Sequence, residues 1–236
     1  KFEIAVSPSL NLFEPQSSST KYQKILLGGL SHKAPSFDLP EVKIFKFEGL
    51  GSVKDELENI KNNMTKKVPF IDSLQNEEFT AKNIELYIAN HPTIIHFATH
   101  GKFSSDPEET FILTENELLD INKLKSLIKS SENQPNPIEL LVLSACETAK
   151  GDQRAALGLA GIAVRSGSRS TLASLWNIND PFTAEFMEKF YRKLIIEKNS
   201  KSAALQIVQN EFLTGDNDEF KKPHYWGAFV LIGNWL

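Results

Sequence analysis

The chain is poor in cysteine, in long apolar runs and in excess charge of either sign. Its 236 residues include a single cysteine, Cys146, which excludes an internal disulfide and any zinc site built from several thiolates. The free thiol suits a reducing compartment. No apolar run approaches the ~20 residues that a membrane-spanning helix needs. The start, Lys1-Phe2-Glu3-Ile4, has neither an initiator Met nor the apolar stretch of a secretory signal. These features predict a cytoplasmic chain without membrane contact, cut from the end of a longer protein. Lys and Arg number 26 against 30 Asp and Glu, a net charge of -4. A dedicated nucleic-acid binder normally shows a basic face, so none is expected as a direct partner.

What is present suits one large α/β domain over residues 1–236, less securely marked over 1–90. The 41% hydrophobic share allows a sizeable core, and no internal repeat or dividing linker is visible. Lys24–Leu30, Thr93–Thr99, Ile138–Leu143 and Ser170–Leu175 are continuous apolar or β-branched runs, the pattern of strands buried on both faces. Ala228–Ile232 is a last strand, Glu3–Val6 a short first one, and Val42–Phe47 and Val68–Ile71 weaker ones. Helical periodicity covers Val53–Met64, Glu78–Asn90, Asp120–Lys129, Ala155–Arg165, Asp180–Glu197 and Ser200–Leu213. Asp120 and Asp180 stand as N-caps, the latter followed by Pro181. Phe111–Leu113 and Glu117–Leu119 suggest a hairpin. Alternating strands and helices imply a mostly parallel sheet flanked by helices on both faces. Gly28-Gly29 reads as a turn after a strand, because no phosphate-binding pattern follows it.

Ligands of open parallel sheets bind beyond the carboxyl ends of the strands. His100 ends one predicted strand and Cys146 another. If those strands are neighbours, the imidazole faces the sulfur and can draw off its proton. Gly101, without a side chain, lets a substrate carbonyl approach the backbone, where its N–H and that of Cys146 form an oxyanion hole. The competing reading makes Cys146 a small buried apolar residue. His96, four residues before His100 on the same strand, suits a hydrogen-bonded structural role. A zinc pair of His96 and His100 lacks a third ligand.

The local wording extends this reading. His96-Phe97-Ala98-Thr99-His100-Gly101 and Leu141-Val142-Leu143-Ser144-Ala145-Cys146-Glu147-Thr148 resemble the two signature blocks of the CHAT domain. The likeness continues through Ala173-Ser174-Leu175-Trp176, Asp180 and His224–Gly233. CHAT domains are caspase-like domains usually found C-terminal to TPR repeats. The resemblance implies a caspase-type α/β fold and a cysteine peptidase with a His–Cys dyad. By motif, His100 is the catalytic histidine, Cys146 the nucleophile, and Gly101 and Cys146 the oxyanion-binding residues. Glu147, Ser174, Leu175 and Trp176 are candidate walls of the substrate groove. Trp176 as plain core competes with that role, and Glu147 as a solvated loop carboxylate.

Some relatives that cut after Arg or Lys carry an acidic residue two before the cysteine, where this chain has Ser144, so basic specificity is not supported from that position. The loop Ala149–Arg154 also departs from the family: Ala149 replaces the usual glycine, and the later Glu-Gly step is absent. The expectation is a cysteine endopeptidase acting on a protein substrate without a cofactor, gated by upstream repeats or a partner protein. The alternatives are a catalytically silent interaction module using the same groove and a nucleotide-binding α/β module.

Overall fold

A computed structural model describes residues 3–6, 22–33, 37–39, 42–45, 47–104, 110–129, 138–144, 147–148, 167–176, 178 and 180–236. The first half holds β1 (Lys24–Gly29), β2 (Phe37–Leu39), β3 (Val42–Phe45), α1 (Val53–Met64), β4 (Phe70–Gln75), α2 (Ala81–Ile88) and β5 (Ile94–Ala98). Next come β6 (Gly101–Phe103), β7 (Phe111–Leu113), β8 (Leu118–Asp120), α3 (Ile121–Lys129), β9 (Leu140–Ser144) and β10 (Glu147–Thr148). Then follow β11 (Ser170–Ser174), α4 (Asp180–Tyr191) with a π turn to Ile196, α5 (Lys201–Thr214), α6 (Pro223–Trp226) and β12 (Phe229–Gly233).

Among the described residues the strands form a six-stranded sheet ordered β12-β11-β9-β5-β1-β4, a four-stranded sheet β10-β6-β7-β8 and a ribbon β2-β3. Every pairing in the large sheet is parallel except β11 with β12. Its central strands β5, β9 and β11 are buried along their whole length, because helices cover both faces. Leu26, Ile95, Phe97, Leu141 and Leu143 share one apolar cluster with α2 and α3. Ile25, Leu27, Ile94, Leu140 and Val142 share the other with α1, α4 and α5. The alternation along each strand thus decides which helix layer a side chain meets.

Local chemistry explains the helix starts. Thr80 and Ser200 accept from the backbone N–H of Asn83 and Ala203, and Asp120 accepts from Lys123 at 2.8 Å. Three expectations need correction. Gly28 and Gly29 lie inside β1, not in a turn, and they are small because neighbours press on them. A Cβ at Gly28 would stand 2.4 Å from the Phe79 ring, and one at Gly29 would stand 2.5 Å from the Ala98 carbonyl oxygen. The expected strand at Glu3–Val6 shrinks to one parallel bridge, Val6 with Ile232. The strand expected at Val68–Ile71 starts two residues later, at Phe70, and runs to Gln75. The helix predicted at Ala155–Arg165 lies outside the described residues.

Candidate active site

β5 and β9 are parallel neighbours in register, Ala98 opposite Ser144. His100 follows two residues after Ala98, and Cys146 two residues after Ser144. Cys146 and the loop Ala149–Arg154 lie outside the described residues, but Ser144 before the cysteine and Glu147 after it are placed. On its far side Glu147 of β10 pairs in parallel with Lys102 of β6. The same two chain segments are therefore joined before and after the histidine and the cysteine.

His100 is half-buried, its ring 5.3 Å from that of Phe47. Its Nε2 lies 2.8 Å from the Glu48 carbonyl oxygen. A carbonyl only accepts, so Nε2–H donates there, and in the neutral ring Nδ1 is the basic nitrogen. The backbone on either side is also held. Leu113 N–H donates to the His100 carbonyl at 2.8 Å, and Gly101 opens β6, opposite Ile112. The Glu48 segment is itself pressed home, since a Cβ at Gly49 would stand 2.9 Å from the Ser31 carbonyl oxygen. Ser31 N–H and Oγ meet the Asn76 side-chain oxygen, and His32 pairs with Glu115 at 2.8 Å.

Beneath this rim lies a buried polar cluster inside an otherwise apolar layer. His96 is fully buried, facing α1 and α4 as its even spacing with Ile94 and Ala98 requires. Its Nε2 is 2.9 Å from Glu56 Oε1 and its Nδ1 is 3.1 Å from the Tyr191 hydroxyl. Ser144 Oγ donates to the same Glu56 oxygen at 2.8 Å. A consistent arrangement has Tyr191 donating to Nδ1 and Nε2–H donating to the carboxylate. Burial, then the nearby Glu56 charge, pushes the Tyr191 phenol well above its ordinary range, keeping it neutral and a donor. His96 therefore has a hydrogen-bonded structural setting. Ser144, two before the cysteine, is also fully buried and engaged with Glu56.

At the end of β11, Ser174 is buried at 1% exposure. Leu175 is half-buried and packs on the α2–α3 core, its N–H bonded to the Ala228 carbonyl. Trp176 is half-buried, donates from Nε1 to the His224 carbonyl at 2.7 Å and stacks on the His224 ring at 6.2 Å. The aromatic pair stands at the same carboxyl-end rim as His100, two strands away from β5.

The opposite, amino ends of the strands carry a second set of charges. Glu139, just before β9, is fully buried with the Arg169 guanidinium at 3.0 Å. Lys201, also fully buried, donates to the carbonyls of Asn234 and Leu236. Burial pulls its ammonium down to about 8; Glu139 opposes that shift and Arg169 adds to it. Among the described residues no helix is long and apolar enough to cross a membrane.

Sequence reasoning did not find Glu48, Glu56, Tyr191 or His224 as parts of the rim and its support. Glu56 had a legible signal, because Val53, Glu56, Leu57, Ile60 and Met64 lie on one buried stripe of α1. A carboxylate on an apolar stripe requires a buried partner. Glu48 contributes a backbone carbonyl, which any residue would supply.

A mostly parallel six-stranded sheet between two helix layers, with the candidate residues beyond adjacent strand ends, defines a caspase-like α/β protein with a peptidase-type fold. The family model of the CHAT domain matches residues 1–234, and the chain belongs to that family. Solved structures with the same architecture include the Arg-specific cysteine proteinase gingipain R, at 12% identity and a TM-score of 0.55 over 90% of this chain and 46% of that one. The complex of Porphyromonas gingivalis RgpB pro- and mature domains matches at 12% identity and 0.55 over 91% and 48%. The chain thus spans about half the length of those proteinases, and at this identity the likeness is one of fold. Among curated proteins, none matches the chain.

Proposed function

We propose that the chain is a cysteine endopeptidase in which His100 and Cys146 form the catalytic dyad. The observation that carries this reading is the register of β5 and β9, with Ala98 opposite Ser144 and each candidate residue two positions beyond. The tautomer of His100 supports it: with Nε2–H given to the Glu48 carbonyl, Nδ1 is the nitrogen able to take a thiol proton. The Cys146 thiolate attacks the scissile carbonyl of a protein substrate, and the backbone N–H groups of Gly101 and Cys146 stabilise the oxyanion. The imidazolium returns its proton to the leaving amine, and water then hydrolyses the thioester, restoring thiol and imidazole. No cofactor takes part.

Trp176, stacked on His224, lines the substrate groove together with Ser174 and Leu175 at the end of β11 and Glu147 after the cysteine, the gingipains being the fold-level precedent for peptide cleavage on this scaffold. The domain works in the cytoplasm under the control of upstream repeats or a partner protein. The test uses the single cysteine. Alkylation of Cys146 against pH, in wild type and His100→Ala, reports the thiolate directly. A thiol that ionises well below the ~8.5 of a free cysteine in wild type and returns to it in the variant supports the dyad. An ordinary thiol, indifferent to His100→Ala even with the full-length protein and its partner, refutes it and leaves a catalytically silent interaction module.

A further inference from the structure

We infer that Glu56 is a positioning residue for the proposed dyad, holding the carboxyl ends of β5 and β9 at a fixed offset through His96 and Ser144; this rests on the dyad reading above. One carboxylate oxygen, Glu56 Oε1, serves both strands: His96 on β5 at 2.9 Å and Ser144 on β9 at 2.8 Å. The two partners also touch, Ser144 Oγ standing 3.3 Å from His96 Nε2. His96 is four residues before His100, and Ser144 is two before Cys146.

The position of this tie matters. Along β5 and β9 the register is kept by the backbone ladder from Ile94–Leu140 up to Ala98–Ser144. Just beyond, the bond from Thr99 N–H to the Ser144 carbonyl stretches to 3.4 Å, well past the usual length. The next pairing is Lys102 with Glu147, reached by three residues on the histidine side and two on the cysteine side. The register therefore slips by one residue across the stretch that carries both candidate groups. The Glu56 tie stands at the last regular rung before that slip.

Stability is a poor reason for this cluster. A carboxylate, an imidazole and a hydroxyl buried at 0–2% exposure in an apolar layer gain little over apolar residues of the same volume. They do favour one geometry, because a group from each strand converges on the same carboxylate oxygen. For a proton transfer, an error of about 1 Å between base and nucleophile costs on the order of a hundredfold in rate.

The experiment compares Ser144→Ala, Ser144→Thr and Glu56→Gln with Val208→Ala, a core truncation on α5 that removes none of the hydrogen bonds among Glu56, His96, Ser144 and Tyr191 and sets the effect of lost stability alone. Each variant is checked for a folded circular dichroism spectrum. Two readouts are then taken: the pH-independent alkylation rate of Cys146, and the imidazole NMR titration of His100, assigned through His100→Gln. The expected result is a fall of about tenfold or more in the alkylation plateau for Ser144→Ala and Glu56→Gln, with a displaced His100 titration. Ser144→Thr, which keeps the hydroxyl, restores both, and Val208→Ala changes neither. The inference is overturned if His100 titrates in Ser144→Ala and Glu56→Gln as in wild type, or if Val208→Ala moves it equally. The NMR readout needs no reactive thiol. A dyad that fails is seen as indifference of the wild-type thiol to His100→Ala, whereas a tie that fails is seen as an unmoved His100.

Discussion

Lys201 puts a number on the cost of burying a cation beneath the sheet. Its ammonium lies fully buried at the amino ends of the strands, and burial lowers it from 10.5 to about 8. Between those values the unfolded chain holds the proton and the folded chain does not. Unfolding then takes up a proton, so stability rises with pH through this window and is level below about 8. From about pH 8 to about pH 10 the gain is on the order of 2 kcal/mol. Tyr22 and Tyr191 act in the opposite sense. Burial holds both phenols above their ordinary range, so the stability they contribute is lost as pH rises past about 10. The assay is urea unfolding of wild type and Lys201→Met at several pH values, reading the difference so that the tyrosines cancel. Methionine keeps the length of the apolar stem and removes the charge. The wild type should gain on the variant by about 2 kcal/mol across the window, and a flat difference curve would refute the argument.

Two further outcomes follow from packing. Gly29→Ala should destabilise by about 1–3 kcal/mol or more, because its Cβ would meet the Ala98 carbonyl oxygen at 2.5 Å and Val53 Cγ1 at 2.7 Å. Gly51→Ala, with nothing within 4 Å, should stay within about 0.5 kcal/mol of wild type; equal urea midpoints for the two variants would contradict the geometry. Phe182, fully buried among Phe186, Phe212, Phe220 and Tyr225, should cost about 3–5 kcal/mol as Phe182→Ala. A loss below about 1 kcal/mol in the same measurement would mean that this aromatic cluster does not anchor α4 as described.

Much of the architecture was legible in the sequence because burial on two faces writes itself as unbroken apolar runs. Ile138–Leu143 and Ser170–Leu175 read as strands for that reason, and the stripe of α1 marked Val53–Met64 to the residue. Elements shaped by distant neighbours were not legible. Gly28-Gly29 looked like a turn because the Phe79 ring and Ala98 carbonyl that demand glycine lie far along the chain. β6 is three residues long and includes Gly101 and Lys102, too short for any periodicity. At the candidate site, the sequence marked His100 and the burial of His96. The Glu48 carbonyl, the Glu56 tie and the stacking of His224 on Trp176 depend on which strand ends and helices meet, and no local pattern encodes that.

The order of the central strands also has a consequence for assembly in time. Ile25 pairs with Ile94, Ile94 with Leu140 and Leu141 with Thr171, so every central pairing closes a long loop. Such topologies form slowly, because loop entropy is spent before contacts repay it. A chain synthesised only through β8 can hold β4, β1 and β5 together, with the β5 edge still bare where β9 will dock. The histidine strand thus waits, unpaired on one side, for the cysteine strand to emerge. An intermediate at that stage has an aggregation-prone edge and lacks the candidate cysteine. The candidate site can come into being only when the centre of the sheet closes.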